Sequence, residues 1–252
     1  MIAPLSDTPP DLEDIRTALK AGGFWTGFAK LSEEDPDALL RSLMVQLGAP
    51  YVPDGCTPED PIIRTAPNRR KNAAPFDRPE AIGWHGDFAS HDDRPKISLV
   101  YVARADPGDP SAGSWRLASS NAVLEQMAGT ADGRRALAML EREALPFSYS
   151  DTQPPRWFKV IAQIGNGTRG IRFFAPSIAR GFHHLGHDMP ASVAEALGQL
   201  GRAADAVQVV VPTRPGSLLV IDNWRALHDR TPQTATRKNG RQALLGFISA
   251  GA

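Results

Sequence analysis

The amino-acid sequence predicts a fold that mixes helices and strands around a mainly β core, arranged as a barrel or a double-sheet jelly roll. Two observations predict this class. Short apolar segments separated by Gly, Pro or Asn cluster in the second half of the chain, as the strands of barrels and sandwiches do. Segments with helical spacing of apolar residues lie near the start and in the middle, and we expect these helices to pack outside the β core.

Two helices are predicted early in the chain. Asp11–Ala21 carries apolar residues at helical spacing between Pro9-Pro10 and a glycine pair. Asp35 is a good N-cap residue with Pro36 at the first helical position, and the apolar stripe that follows runs to Gly48.

Later segments are assigned by the same periodicities. Three further helices are predicted at Ser119–Ala128, Ala131–Leu145 and Ala191–Ala204. Strands are predicted at Lys96–Ala103, Trp157–Ile164, Gly170–Phe174, Val207–Val211, Ser217–Asp222 and Gln242–Ser249. Between the early helices and the first of these strands, Ala49–Pro79 is rich in Pro, Asn, Asp and Arg, which fits a lid over a binding site and an ordinary surface loop equally well.

The composition is that of an ordinary globular protein. Hydrophobic residues make up 42% of the 252 residues and charged residues 22%, so the chain can bury a sizeable core without disulfides or repeats. Barrels and sandwiches often reach this length as one unit. We therefore predict a single domain over residues 1–252.

The charge balance excludes two broad classes of partner. Lys plus Arg and Asp plus Glu number 28 each, so no overall field would attract the protein to nucleic acid or to an anionic membrane. We expect a small-molecule partner. Residues 1–15 lack the basic and apolar parts of a signal peptide, no stretch is long enough to span a bilayer, and the lone Cys56 cannot form an intrachain disulfide. These features predict a cytoplasmic protein.

A His-x-Asp pair provides the first candidate for metal binding. His85 and Asp87 point to the same side of an extended chain, so both can reach one ion. A second histidine, His228, stands just past the predicted strand Ser217–Asp222. Two histidines and one carboxylate leave three positions open on an octahedral Fe(II), whereas a structural zinc site is closed. By itself His-x-Asp is a weak signal, because two polar loop residues give it by chance in many proteins.

The pattern downstream of His228 is more specific. Asp222-Asn223-Trp224-Arg225-Ala226-Leu227-His228 is followed by Gly240-Arg241-Gln242-Ala243-Leu244-Leu245-Gly246. Together with His-x-Asp, these segments resemble the taurine dioxygenase and clavaminate synthase-like family, in which His-x-Asp precedes "DNxRxLH" and then "GRxxLxGxx". The resemblance covers roughly residues 80 to 250 in motif order, and motifs in series are more specific than any one of them.

The resemblance implies a fold, a reaction and a set of site residues. The fold would be a double-stranded β-helix, or jelly roll, flanked by helices. Fe(II) would be held by His85, Asp87 and His228, and Arg241 would bind the distal carboxylate of 2-oxoglutarate with its planar guanidinium. Ser114, in Ala112-Gly113-Ser114-Trp115, would take the place of the threonine in the family's "GGxT" segment.

The implied activity is that of an Fe(II)- and 2-oxoglutarate-dependent dioxygenase. Such an enzyme would use O₂ to hydroxylate, desaturate or cyclise a small molecule, such as an amino-acid-like or secondary-metabolite substrate, and would release succinate and CO₂. Asp87 disfavours halogenation, because related halogenases replace this carboxylate with a small residue. The sequence separates neither these outcomes nor the possible substrates, and it does not give the oligomeric state.

Two other functions remain open on the residues. A zinc hydrolase could use His85, Asp87 and His228 with an activated water. A jelly-roll binding protein could keep a metal or oxo-acid pocket without turnover. Arg172 and Arg180 fit either an acidic substrate group or surface charge. The His183–Asp188 segment resembles a metal tract in composition but is interpreted as a solvated loop, and Arg237 as part of an exposed ion pair.

Overall fold

The computed structural model of the protein describes residues 11–29, 35–65, 75–108, 111–165, 167–234 and 240–249. Within these ranges the chain forms six α-helices and twelve β-strands. The helices are α1 (Leu12–Gly22), α2 (Pro36–Leu47), α3 (Ser120–Ala128), α4 (Ala131–Arg142), α5 (Ala175–His184) and α6 (Ala191–Val207). The strands are β1 (Phe24–Phe28), β2 (Ile63–Thr65), β3 (Ile97–Arg104), β4 (Trp115–Ser119), β5 (Ala144–Phe147), β6 (Arg156–Lys159), β7 (Ile161–Gln163), β8 (Arg169–Ile171), β9 (Val209–Val211), β10 (Ser217–Asp222), β11 (Ala226–Arg230) and β12 (Gln242–Ile248).

All strand pairs among the described residues are antiparallel. The larger sheet has five strands in the order β1-β10-β3-β12-β2, and a smaller sheet has the order β11-β4-β9. Two-stranded ribbons, β5-β6 and β7-β8, complete the β structure. The fold is therefore a mixed α and β structure with antiparallel sheets, as the sequence predicts at this level.

The two main sheets share an apolar layer. Val100 and Val102 of β3 and Leu219 of β10 pack with Trp115 and Leu117 of β4. The alternate residues of β3 and β10 point away from this layer into a second core. There they pack against α1 and α2, and that core includes Leu99, Tyr101, Leu218, Val220, Ile15 and Leu40. Both faces of the larger sheet are thus covered, which is why β3 and β10 are apolar along most of their length.

A third core lies on the side of the smaller sheet that faces away from the larger one. Ala118 of β4 and Leu227 of β11 pack there against α3, α4 and α6 through residues such as Leu124, Leu140 and Leu200. Helices therefore cover the outer side of each main sheet. The described helices include none long and apolar enough to cross a membrane.

The two early helices begin where the sequence predicts. The Asp11 carboxylate accepts a hydrogen bond from the Glu13 N–H (2.8 Å), and the Asp35 carboxylate accepts one from the Asp37 N–H (3.1 Å). These side chains satisfy N–H groups that have no partner inside the helix. Gly23, just after α1, has a left-handed backbone (φ 82°) that favours glycine. Pro9-Pro10 lies outside the described residues.

The predicted helix Ala131–Leu145 is too long. α4 ends at Arg142, Glu143 is extended (φ −93°, ψ 134°), and β5 begins at the next residue. Leu145 and Phe147 of β5 are buried in the same core as α4. Their apolar side chains continue the pattern of the helix, which hides the boundary from a sequence reading.

Two predicted strands also differ from the observed ones. The segment Trp157–Ile164 forms β6 and β7, because the chain breaks at Val160, whose carbonyl oxygen accepts a hydrogen bond from the Arg172 N–H (2.7 Å). The predicted strand Gly170–Phe174 ends at Ile171, and α5, which was not predicted, begins at Ala175. The strands β1, β2, β4, β5 and β11 were not predicted either.

Part of the predicted loop Ala49–Pro79 is ordered into the larger sheet. β2 lies in this segment and pairs with β12, and Pro50 forms an isolated bridge with Ile248. Residues 66–74 lie outside the described part of the chain. Whether the segment acts as a lid stays a prediction.

Two helical glycines should respond in opposite ways to alanine. A Cβ atom at Gly181 of α5 would overlap the Pro146 carbonyl oxygen of β5, whereas one at Gly201 of α6 would meet nothing within 4 Å. We expect Gly181→Ala to lower the free energy of unfolding by about 1–3 kcal/mol through overpacking. Gly201→Ala should raise it by about 0.5–1 kcal/mol through helix propensity. Denaturant unfolding of both variants tests this packing, and equal effects of the two changes would contradict it.

Candidate functional site

The structure brings together the three side chains that the sequence proposes as metal ligands. His85, Asp87 and His228 each offer a ligand atom, and these atoms lie within 4.8 Å of one another. The Asp87 carboxylate lies between the two rings, with Oδ1 3.6 Å from His85 Nε2 and Oδ2 3.4 Å from His228 Nε2. One ion could contact all three side chains.

The backbone fixes the two histidines relative to each other. The His85 N–H donates to the His228 carbonyl oxygen (3.0 Å), and the His228 N–H donates to the His85 carbonyl oxygen (2.9 Å). This isolated antiparallel bridge holds the ring centroids 4.2 Å apart. His228 lies within β11, after the turn that follows β10, and this strand was not predicted.

A second layer of polar groups orients Asp87. Ser98 donates from its hydroxyl to Asp87 Oδ2 (2.6 Å), and Asn223 accepts a hydrogen bond from the Asp87 N–H (3.1 Å). The Asn223 amide also donates to Ser98 Oγ (2.8 Å) and to the Pro95 carbonyl oxygen (3.1 Å). Sequence analysis assigned no role to Asn223 or Ser98. The position of Asn223 in the "DNxRxLH" segment was the signal available for it.

Arg94 holds the segment that carries the ligands from behind. Its guanidinium donates to the carbonyl oxygens of Asp87 (3.0 Å), Ile171 (3.2 Å) and Asn223. A Cβ atom at Gly86 would overlap this guanidinium and lie 3.0 Å from the Asn223 carbonyl oxygen, so a larger residue between the two ligands would displace Arg94. The motif His-Gly-Asp is therefore shaped by packing as well as by its ligand spacing.

The protonation states of the ligands suit a cation. Burial by itself would raise the pKa of the Asp87 carboxyl, but the charges and hydrogen bonds of His228 and His85 outweigh burial and hold this pKa well below its usual range. Burial, together with the charge of His85, lowers the pKa of His228, although Asp87 opposes the shift. Near neutral pH, Asp87 is therefore ionised and His228 is neutral, which are the forms that bind metals.

Arg241 and Ser114 form a second polar site in the protein interior. Arg241 is 5% exposed and Ser114 0%. Among the described residues, neither Arg241 Nε nor Ser114 Oγ has a hydrogen-bond partner. Gly113 has a left-handed backbone (φ 71°), and a Cβ atom there would lie 2.7 Å from Arg241 Cδ, so the Gly-Ser segment packs directly against the arginine.

The second site carries the positive charge of Arg241. Burial and the neighbouring charge of Arg230 lower the pKa of Arg241 to about 9, partly opposed by Asp106. The guanidinium is still protonated at neutral pH. Because unpaired buried polar groups cost free energy, an arginine and a hydroxyl left open in the interior favour an anionic ligand such as a carboxylate.

Other candidates from the sequence have structural partners. Arg172 is buried, donates to the carbonyl oxygens of Ala89 (3.0 Å) and His91 (2.7 Å), and lies over the Phe158 ring. Arg180 donates to backbone carbonyl oxygens and pairs with Asp151 (3.2 Å). His183 and His184 lie in the last turn of α5, so this part of the tract is helical, though exposed. Arg237 lies outside the described residues.

The hydrogen bond from Ser98 to Asp87 should matter for metal binding beyond its effect on stability. Ser98→Ala removes a buried hydroxyl, which costs about 1 kcal/mol of unfolding free energy, and frees the carboxylate, which should weaken binding of a divalent metal about 10-fold. The matched control is Ser120→Ala, since Ser120 is equally buried and donates to the Trp224 carbonyl oxygen (3.0 Å). It should lose similar stability and keep its metal affinity. Equal metal affinities in both variants, measured by titration calorimetry, would argue against this role.

Several solved structures of oxygenases have a similar fold. Asparagine oxygenase in complex with Fe(II), 2S,3S-3-hydroxyasparagine and succinate shares 17% identity and a TM-score of 0.73, over 94% of this chain and 78% of that chain. PvcB from Pseudomonas aeruginosa, an Fe, alpha-ketoglutarate dependent oxygenase from an isonitrile synthetic pathway, has 16% identity, a TM-score of 0.69 and coverages of 96% and 81%. The non-heme iron oxygenase OrfP, with Fe and alpha-ketoglutaric acid, has 16% identity, a TM-score of 0.66 and coverages of 96% and 80%.

The TM-scores show that these proteins share the fold of this chain, and at such low identities the similarity shows the fold alone. No curated protein matches the sequence. A family model does match it: the model described as "Taurine catabolism dioxygenase TauD, TfdA family" aligns with residues 3–246. Because this match spans nearly the whole chain, the protein belongs to the TauD, TfdA family of dioxygenases.

Proposed function

We propose that this protein is an Fe(II)- and 2-oxoglutarate-dependent oxygenase that oxidises a small, amino-acid-like molecule and releases succinate and CO₂. The observation that carries the proposal is the group of two histidines and one carboxylate whose ligand atoms lie within 4.8 Å of one another. The family of the chain and the oxygenases of similar fold support it. None of these observations favours the two alternatives, a zinc hydrolase or a binding protein without turnover.

The ligand set fits iron. In this proposal His85, Asp87 and His228 would hold Fe(II), and a set of only three protein ligands would leave coordination positions for an oxo-acid and O₂. When bound, Fe(II) supplies the activation of O₂ that oxidises both 2-oxoglutarate and the substrate. The chain contributes a fixed carboxylate, through the hydrogen bonds of Asp87 with Ser98 and Asn223.

We assign the distal carboxylate of 2-oxoglutarate to Arg241 and Ser114. The support is their burial, the positive charge of Arg241 and the unpartnered Nε and Oγ atoms. A carboxylate bound there would gain charge-assisted hydrogen bonds in a region of low dielectric constant. Ser114 would fill the role that a threonine has in the family resemblance.

The substrate class is proposed from the structures of similar fold. Asparagine oxygenase carries 3-hydroxyasparagine in one structure, and OrfP carries (3S)-hydroxy-L-Arg in another. Both bound molecules are amino acids with a hydroxyl group on a side-chain carbon, which supports an amino-acid-like substrate for this chain. They favour hydroxylation as the outcome, with desaturation and cyclisation as further outcomes of the same chemistry.

We also propose that the β core is a double-stranded β-helix, or jelly roll. The antiparallel sheets that share the core around Val102 and Leu117 are what a double-stranded β-helix requires. We propose this jelly roll as a single catalytic domain over residues 1–252. The lone Cys56 supports a cytoplasmic location.

Loss of a proposed ligand should abolish turnover. We expect His85→Ala and Asp87→Ala to lower succinate formation from 2-oxoglutarate at least about 100-fold, because iron affinity depends on all three ligands. The control is His187→Ala, since His187 is exposed and far from the triad in the sequence. Succinate is measured in air with Fe(II) and amino acids as candidate substrates, and in a parallel reaction with Zn(II) in place of Fe(II). Full activity of Asp87→Ala would reject the ligand assignment. Succinate formation that depends on Fe(II) would exclude a zinc hydrolase, because hydrolysis cannot oxidise 2-oxoglutarate.

Loss of Arg241 should weaken the binding of 2-oxoglutarate and leave the binding of the metal unchanged. Truncating one partner of a buried charge-assisted pair costs about 2–5 kcal/mol, so Arg241→Ala should weaken 2-oxoglutarate binding about 100-fold. Iron affinity in the absence of 2-oxoglutarate should be unchanged. The control is Arg214→Ala, because Arg214 is exposed and lies over the Phe28 ring. Titration of both variants with 2-oxoglutarate tests the assignment, and equal affinities would contradict it.

A further inference from the structure

We infer that Asp229 is a positioning residue for His85, acting through the backbone of Gly83. The inference rests on the proposed iron site and names a residue that belongs to neither the ligand triad nor the 2-oxoglutarate site. Asp229 directly follows His228 on β11, so its side chain points to the opposite face of the strand from the histidine. A carboxylate on that face has no direct access to the metal.

The carboxylate of Asp229 is fully engaged. Asp229 is 2% exposed, and its Oδ1 accepts hydrogen bonds from the Gly83 N–H (2.8 Å) and the Arg230 N–H (2.7 Å). Its Oδ2 accepts one from Arg116 Nη1 (2.8 Å), and Arg116 is its partner in the register of β4 and β11. The carboxylate is thus fixed by the strand pair and in turn fixes the peptide group of Gly83.

The peptide unit of Gly83 passes this constraint on to the imidazole. The Gly83 carbonyl oxygen lies 2.8 Å from His85 Nδ1. A carbonyl oxygen can only accept, so Nδ1 must carry the proton and Nε2 keeps its lone pair. Nε2 is also the atom that faces Asp87. The left-handed backbone of Gly83 (φ 88°) lets one residue present its N–H to Asp229 and its carbonyl to His85.

Trp84, the residue between Gly83 and His85, packs against Arg116, which also binds the Asp229 carboxylate. Arg116 Cζ lies over the Trp84 ring, 4.8 Å from the ring centroid, and Trp84 Nε1 donates to Asp205 (2.9 Å). Arg116 Nε donates to Gln208 Oε1 (2.7 Å). Trp84 is therefore held between β4 and the end of α6. The segment leading to His85 cannot shift without breaking these contacts.

In this arrangement one peptide group, that of Gly83, lies between the Asp229 carboxylate and the imidazole of His85. A ligating histidine usually donates its second ring N–H to a carboxylate or carbonyl, which fixes its tautomer and direction. Here the carbonyl is itself held by a carboxylate. Because Asp229 adjoins His228, one side chain would set the position of one histidine ligand relative to the backbone of the other.

The test is the affinity for a metal alone. Asp229→Asn keeps the shape of the side chain, and its amide oxygen can still accept from the N–H groups of Gly83 and Arg230. The amide NH2 group then faces Arg116 and cannot accept from it, so the side chain that holds Gly83 loses its charge and its anchor on β4. We expect Co(II), titrated under anaerobic conditions and followed by its visible absorption, to bind the variant 10–100-fold more weakly, with a shifted spectrum. The control is Asp106→Asn. Asp106 also accepts two backbone N–H groups, from Gly108 (2.9 Å) and Thr234 (2.6 Å), but does not contact Gly83. Its Co(II) affinity should stay within about twofold.

The outcomes separate the inference from the proposed function. Absence of Co(II) binding by the wild-type protein would overturn the iron site itself. Tight binding by the wild type and equally tight binding by Asp229→Asn would overturn the positioning role alone, as would equal losses in Asp229→Asn and Asp106→Asn. If Asp229→Asn does not fold, Arg116→Gln replaces it. This variant keeps the Asp229 carboxylate but removes its charged partner. We expect a smaller loss of Co(II) affinity with the same spectral shift, and an unchanged affinity and spectrum would overturn the positioning role of Asp229.

Discussion

The candidate site depends on one backbone interaction, the pair of hydrogen bonds that joins His85 to His228. These residues come from distant parts of the chain, and the bridge holds both rings at a fixed separation. Asp87 follows His85 by two residues, at the start of a turn, and its carboxylate lies between the rings. Polar contacts around the bridge, from Ser98, Asn223 and Arg94, hold the carboxylate and its backbone in one orientation.

The electrostatic character of the interior follows from its arginines. Arg94, Arg172, Arg230 and Arg241 are all buried, and within the described part of the chain none of them forms an ion pair with a carboxylate. Their donors bind backbone carbonyl oxygens instead, or remain open as in Arg241. Arg241 is buried with an open Nε atom, and an anionic ligand would offset the free energy that burial of its guanidinium costs. This arginine therefore favours a ligand that carries a carboxylate.

The sequence could predict the ligand residues because their chemistry is local. His-x-Asp in an extended segment, the "DNxRxLH" segment and the Gly-Arg pair each stand out by residue type and spacing, and the structure places the three ligand side chains together. β11 could not be predicted in the same way, because Ala-Leu-His-Asp-Arg is buried throughout and shows no alternation. α5 was hidden behind the Phe173-Phe174 pair, which suggests a continuing strand. The link from Asp229 to Gly83 joins segments far apart in the chain, so no local pattern could show it.

We propose that one iron ion and one 2-oxoglutarate molecule bind together at the triad. The most direct test is anaerobic reconstitution with Fe(II), followed by addition of 2-oxoglutarate and recording of the weak visible charge-transfer band of the chelate. We expect the band in the wild-type protein and its absence in His85→Ala. Folded wild-type protein without the band, or an equal band in His85→Ala, would contradict this proposal.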